Sequence, residues 1–137
     1  KESEEKFSLF LKNSKGRVLY VDFWASWCKP CLKEMPASKA LVEKYKGKVG
    51  FVYLSLDDDL NAWRAALKKY DIEKPYLTNH FRIGPQSDAA ILFDVQSIPR
   101  YLLIDKRGNF VDRNAKRPSD PELEEDIQRL MAEKIEN

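Results

Sequence analysis

Cys28 and Cys31 are the only cysteines of this 137-residue chain, and they stand three apart. A Cys-x-x-Cys pair either contributes half of a metal site or forms a dithiol that cycles with its disulfide. A tetrahedral structural zinc takes four ligands, and the chain adds only the distant His80 to the pair. His80 reads as a surface or loop residue, so we expect no metal. The redox reading asks for one thiol that ionises readily and a second that reaches back to it. At a helix N-terminus, unpaired backbone N–H groups and the positive end of the dipole favour a thiolate. Such placement lowers a cysteine pKa from about 8.5 to roughly 3.5–7.5. Cys28 is then the nucleophile, and Cys31, one turn inward and less exposed, resolves the mixed disulfide.

That assignment requires a strand before the pair and a helix after it. Val18 to Trp24 is a near-continuous apolar, β-favouring run, as in a strand buried on both faces, interrupted only by Asp22. From Lys29 to Tyr45 the pattern is helical, with Pro36 two turns in, where a kink is expected, and Gly47 closing the helix. Val49 to Leu56 reads as a second buried strand, parallel to the first through a right-handed crossover. Asp57 to Asp59 offer N-cap candidates for a helix carrying Leu60, Trp63, Leu67 and Tyr70 at 3.6-residue spacing.

The flanks complete one domain. Phe7, Phe10 and Leu11 mark a short N-terminal helix. Residues 72–98 are too long for a structureless loop, so a short helix is expected around Asp88 to Phe93. Tyr101–Ile104 and Phe110–Val111, joined through Gly108 and Asn109, read as an antiparallel hairpin, which makes the sheet mixed. Ser119 and Pro121 open a last helix whose stripe is Leu123, Ile127, Leu130 and Met131. We therefore expect an α/β fold over residues 1–137, a central mixed sheet with helices on both faces.

Composition excludes more than it assigns. Twenty-four basic residues against 22 acidic leave a net charge of +2, which gives no reason to propose nucleic acid or an anionic membrane as partner. No apolar run approaches the roughly 20 residues of a membrane helix, and Lys1-Glu2-Ser3-Glu4-Glu5 is too polar for a secretory signal.

The segment Val21-Asp22-Phe23-Trp24-Ala25-Ser26-Trp27-Cys28-Lys29-Pro30-Cys31 resembles the active site of thioredoxins. Leu32-Lys33-Glu34-Met35-Pro36, the long stretch before Ile98-Pro99 and Tyr101 to Asp105 with Gly108 are similar to the TlpA-like branch of extracytoplasmic thiol-disulfide reductases. The resemblance implies a thioredoxin fold with an N-terminal helix and an insertion before a cis-proline, Pro99, which faces the dithiol. It implies that Asp22 is a buried carboxyl accepting the proton of Cys31, and that Glu34 tunes the dithiol. Trp27, Ile98, Pro99 and Arg100 would contact substrate, although Arg100 stands where thioredoxins usually carry threonine. Trp24 reads equally as shield or core, and Trp63 as core. Lys29 and Pro30 tune the pair through charge and a fixed first turn.

The expected activity is thiol-disulfide exchange with protein disulfides, in the reducing direction, without a cofactor and fed by an upstream dithiol donor. The alternative is a redox-gated binding module without turnover, since fold alone does not carry catalysis. The resemblance further implies a location outside the cytoplasm, in a bacterial periplasm and tethered to the membrane in a full-length protein, with a cytoplasmic location as the alternative; we expect a monomer. It also leads us to expect that a targeting segment or N-terminal domain precedes Lys1.

Overall fold

The computed structural model describes residues 2–135. Its elements run α1 (Glu2–Lys12), β1 (Val18–Trp24), α2 (Lys29–Lys33), α3 (Met35–Lys44), β2 (Val49–Ser55), α4 (Leu60–Lys69), β3 (Thr78–Arg82), α5 (Asp88–Leu92), β4 (Arg100–Ile104), β5 (Phe110–Asp112) and α6 (Leu123–Ala132). The strands form one mixed sheet in the order β3-β2-β1-β4-β5. β1, β2 and β3 are parallel, while β4 runs antiparallel to β1 and to β5.

Strand alternation divides the core in two. Val18, Tyr20 and Trp24 of β1, Phe51 and Tyr53 of β2, and Tyr101 and Leu103 of β4 point to one face, where α3, α4 and α6 pack with Cys28 and Cys31. Leu19, Val21 and Phe23, with Val52, Leu54, Leu102 and Ile104, point to the other, which is covered by Phe7 of α1 and Ala90 of α5. Both faces of β1 and β2 are buried, which is why those strands read as continuous apolar runs.

Three local expectations are corrected. The helix from Lys29 to Tyr45 is two helices, divided at Glu34, rather than one kinked rod. Pro36 has no N–H to return to Leu32 and its ring opposes that carbonyl, a conflict worth about 3 kcal/mol in a helix interior. Starting a new helix at Met35 puts the proline in a first turn, where its missing donor costs nothing. Second, the stretch after Ile72 contains a strand as well as the expected short helix: β3 pairs with β2 from Phe51↔Thr78 to Ser55↔Arg82. Third, α6 begins at Leu123 without a side-chain cap. Ser119 lies short of it, engaged elsewhere.

Candidate functional site

The dithiol sits where β1 hands over to α2. Ala25 to Cys28 form a turn closed by the Cys28 N–H on the Ala25 carbonyl at 3.1 Å. Cys28 is the N-cap of α2, with extended backbone (φ −90°, ψ 98°) and its own sulfur as the capping acceptor. The Cys31 N–H donates to Cys28 Sγ at 3.2 Å, so a free helix donor is aimed at the atom on which a thiolate would develop. Pro30 occupies the first turn, where no donor is lost, and Lys29 beside it is exposed. Cys28 and Cys31 are joined as a disulfide, their Cα atoms 5.3 Å apart. Both cysteines are buried, Cys28 at 4% exposure and Cys31 at 1%. Trp27, next to Cys28 in sequence, is 66% exposed and offers a flat apolar surface, whereas Trp24 is wholly buried.

Asp22 lies beneath. By strand parity it projects with Tyr20 and Trp24 into the cluster that holds both cysteines, flanked across the sheet by Tyr53 and Tyr101. It is buried, and its Oδ1 has no protein partner. Burial raises its carboxyl well above the usual carboxylate range, and the charge of Glu34 pushes the same way. Its charge also helps hold the hydroxyls of Tyr20, Tyr53 and Tyr101 protonated, after burial as the main cause.

Glu34 ends α2 and precedes α3. Its carboxylate accepts the Ser119 N–H at 2.9 Å and the Ser119 hydroxyl at 2.8 Å, which explains how a nearly buried acid keeps partners. The Ile98-Pro99 bond is cis. Arg100 pairs with Phe23, so Pro99 lies level with Trp24 at the strand end from which the dithiol turn departs. The Arg100 guanidinium is turned aside, its Nε donating to the Arg113 carbonyl and Nη1 to that of Asp94. It borders a polar cavity of about 300 Å³ with Asp94, Gln96, Ser97, Pro99 and Asn114.

Two further expectations change. His80 is not in a loop: it sits half-buried in the edge strand β3, stacked on Tyr53 with ring centroids 4.8 Å apart. Trp63 packs against the core edge rather than within it. Among the described residues, no three His, Cys, Asp or Glu side chains gather as a metal-binding set, and no helix is long and apolar enough to cross a membrane.

Residue types alone missed Asp57 and Ser26. Asp57 was one of three candidate caps for α4, but Asp59 takes that role by accepting the Asn61 N–H at 2.9 Å. Asp57 is instead buried against Ser26, two residues before Cys28. The one available signal was redundancy, since a helix needs a single N-cap and the sequence offers three aspartates in a row.

The thioredoxin-like family model matches residues 16–110. The thiol-disulfide oxidoreductase ResA of a Bacillus cereus strain is 33% identical over 121 residues, covering 88% of this chain and 67% of that protein. The thioredoxin-like protein YneN of Bacillus subtilis (strain 168) is 31% identical over 128 residues, 91% of this chain and 71% of that one. A crystal structure of a proposed thiol-disulfide oxidoreductase from Bacteroides vulgatus superimposes with a TM-score of 0.73 at 36% identity, covering 88% and 82% of the two chains.

Proposed function

The chain belongs to the thioredoxin-like family and is a thiol-disulfide oxidoreductase, and from that premise we propose that it works as a reductant of protein disulfides with Cys28 as nucleophile and Cys31 as resolving thiol. The observation that carries this reading is the pairing of the two sulfurs at the N-terminus of α2, with the Cys31 N–H directed at Cys28 Sγ.

In the reduced protein, the Cys28 thiolate attacks one sulfur of a client disulfide, forming a mixed disulfide and expelling the first client thiolate. Cys31 then gives its proton to the Asp22 carboxylate and attacks Cys28 Sγ. The second client thiolate leaves, and the Cys28–Cys31 disulfide remains. Two electrons have passed to the client, and an upstream dithiol donor returns them. A carboxyl whose pKa burial raises holds a proton more readily than an ordinary carboxylate, which suits it to receive one from Cys31. Trp27 and the backbone at Ile98-Pro99 form the contact surface for an extended client segment, with Arg100 at its margin. Glu34, Lys29 and Pro30 tune the dithiol. The reducing direction is supported by the resemblance of Asp22 and Pro30 to the reducing thioredoxins.

Residues 1–137 act as one domain, monomeric and outside the cytoplasm; the support for that location is the similarity of Leu32 to Pro36 and of Ile98-Pro99 to extracytoplasmic reductases. Replacing Cys31→Ala should leave clients trapped on Cys28 as adducts released by dithiothreitol. Absence of any adduct, together with no insulin reduction by the unaltered protein, would overturn the reading. Redox-dependent partner affinity without turnover would make the chain a binding module instead.

A further inference from the structure

Asp57 is 1% exposed and lies beyond the end of β2. A buried carboxylate is costly unless hydrogen bonds replace its lost water. Here they do. Oδ1 accepts the Ser26 hydroxyl at 2.5 Å, Oδ2 accepts the Ser55 hydroxyl at 2.6 Å, and the Ser26 N–H is shared between them at 3.2 and 3.0 Å. Ser55 in turn accepts the Asp57 N–H at 2.9 Å. From the far side, Arg82 of β3 donates Nη1 to the carbonyls of Asp57 and Asp58 at 3.4 and 3.3 Å. The segment is therefore fastened to β2, β3 and the dithiol turn at once.

None of this serves α4, which Asp59 caps. Most of the carboxylate's bonding capacity goes to Ser26, the second residue of the Ala25–Cys28 turn. That turn decides two things. It sets the backbone of Cys28 so that its sulfur meets the Cys31 N–H, and it holds Trp27 outward at 66% exposure. A serine fixed through both its amide and its hydroxyl has little freedom to let the turn relax, and small displacements of a reacting atom cost rate steeply.

We propose that Asp57 is a positioning residue for the dithiol: by holding Ser26 from the end of β2, it fixes the turn that presents Cys28 Sγ to the Cys31 amide. It touches neither sulfur. The proposal rests on Cys28 being the attacking thiol, and its test is separable from that reading.

The dithiothreitol-reduced protein is alkylated with iodoacetamide across pH, which follows ionisation of Cys28 whether or not the chain turns over a client. Asp57→Ala and Ser26→Ala should each move the alkylation midpoint to higher pH, because the thiolate loses its aligned amide. Insulin reduction should fall about tenfold, within the loss of up to about a hundredfold that a displacement near 1 Å can cause. Ser26→Thr keeps the hydroxyl and should restore both readouts towards the parent. Should Asp57→Ala fail to fold, the Ser26→Ala and Ser26→Thr pair decides. Midpoints unchanged in the alanine variants, or a threonine variant as impaired as the alanine one, would overturn the proposal. If the unaltered protein reduced no insulin at all, the functional reading would fail while the alkylation profile still tested the turn.

Discussion

The Glu34 carboxylate takes both donors of Ser119, its N–H and its hydroxyl, across 85 residues of sequence, and so ties the junction of α2 and α3 to the approach of α6. This contact fixes a negative charge close enough to raise the Asp22 carboxyl further than burial alone. Asp22 and Glu34 are thus coupled through charge.

Glu34→Gln should return the Asp22 carboxyl part of the way towards its ordinary value, with burial still holding it high. If Asp22 accepts the Cys31 proton, the pH below which the resolving step slows will then move downward. Single-turnover release of a client from the Cys28 mixed disulfide, measured across pH, checks this; an unmoved or upward-moved acid limb would contradict it.

Asp22→Asn should separate catalysis from stability. Removing the proton acceptor should slow resolution about a hundredfold at neutral pH, in the lower range of general-base contributions. Stability should change the opposite way. The folded state holds the Asp22 proton more tightly than the unfolded chain, whose carboxyl titrates near 3.9. Folding stability from this group is therefore present below about pH 4 and is lost as pH rises towards the elevated folded value. Urea unfolding of the oxidised proteins should show the asparagine variant gaining on the parent as pH rises from 4 to 8. Parallel curves would show that Asp22 titrates normally.

His80 predicts the reverse slope. Burial lowers its pKa from 6.5 to about 4, against the smaller opposing effect of its hydrogen bond to the Ile72 carbonyl. The folded state binds this proton less readily than the unfolded chain, so stability is complete above pH 6.5 and drains away as pH falls towards 4. The loss across that window should be about 2 kcal/mol. His80→Phe preserves a ring to stack on Tyr53 and should flatten this part of the curve in urea titrations at pH 6.5 and 4.5. A variant that keeps the parent's slope would assign the acid loss to other groups.

Much of the architecture was readable from local pattern. β1, β2 and the hairpin strands β4 and β5 announced themselves through apolar runs and turn residues, and α1, α4 and α6 through 3.6-residue stripes. Gly108 adopts φ +89° in the hairpin turn, a backbone that suits glycine. β3 was not readable. Thr78-Asn79-His80-Phe81-Arg82 has no apolar alternation, and every residue in it is only half buried. It becomes a strand because β2 presents a free edge and because Phe7 and Phe10 of α1 cover Phe81, with ring centroids 5.8 and 5.9 Å away.

The site divides the same way. The amino-acid sequence by itself determined that a dithiol follows a buried strand and opens a helix, the basis on which we propose different roles for Cys28 and Cys31, because those features depend on neighbours within one or two turns. Tertiary structure alone decided which distant groups meet: Asp57 on Ser26, 31 residues away, Ser119 on Glu34, and His80 against Tyr53. No periodicity encodes such pairs. They arise where sheet register and helix packing bring residues far apart in sequence together, and each buried polar group must then find its partner among whatever the fold has placed within reach.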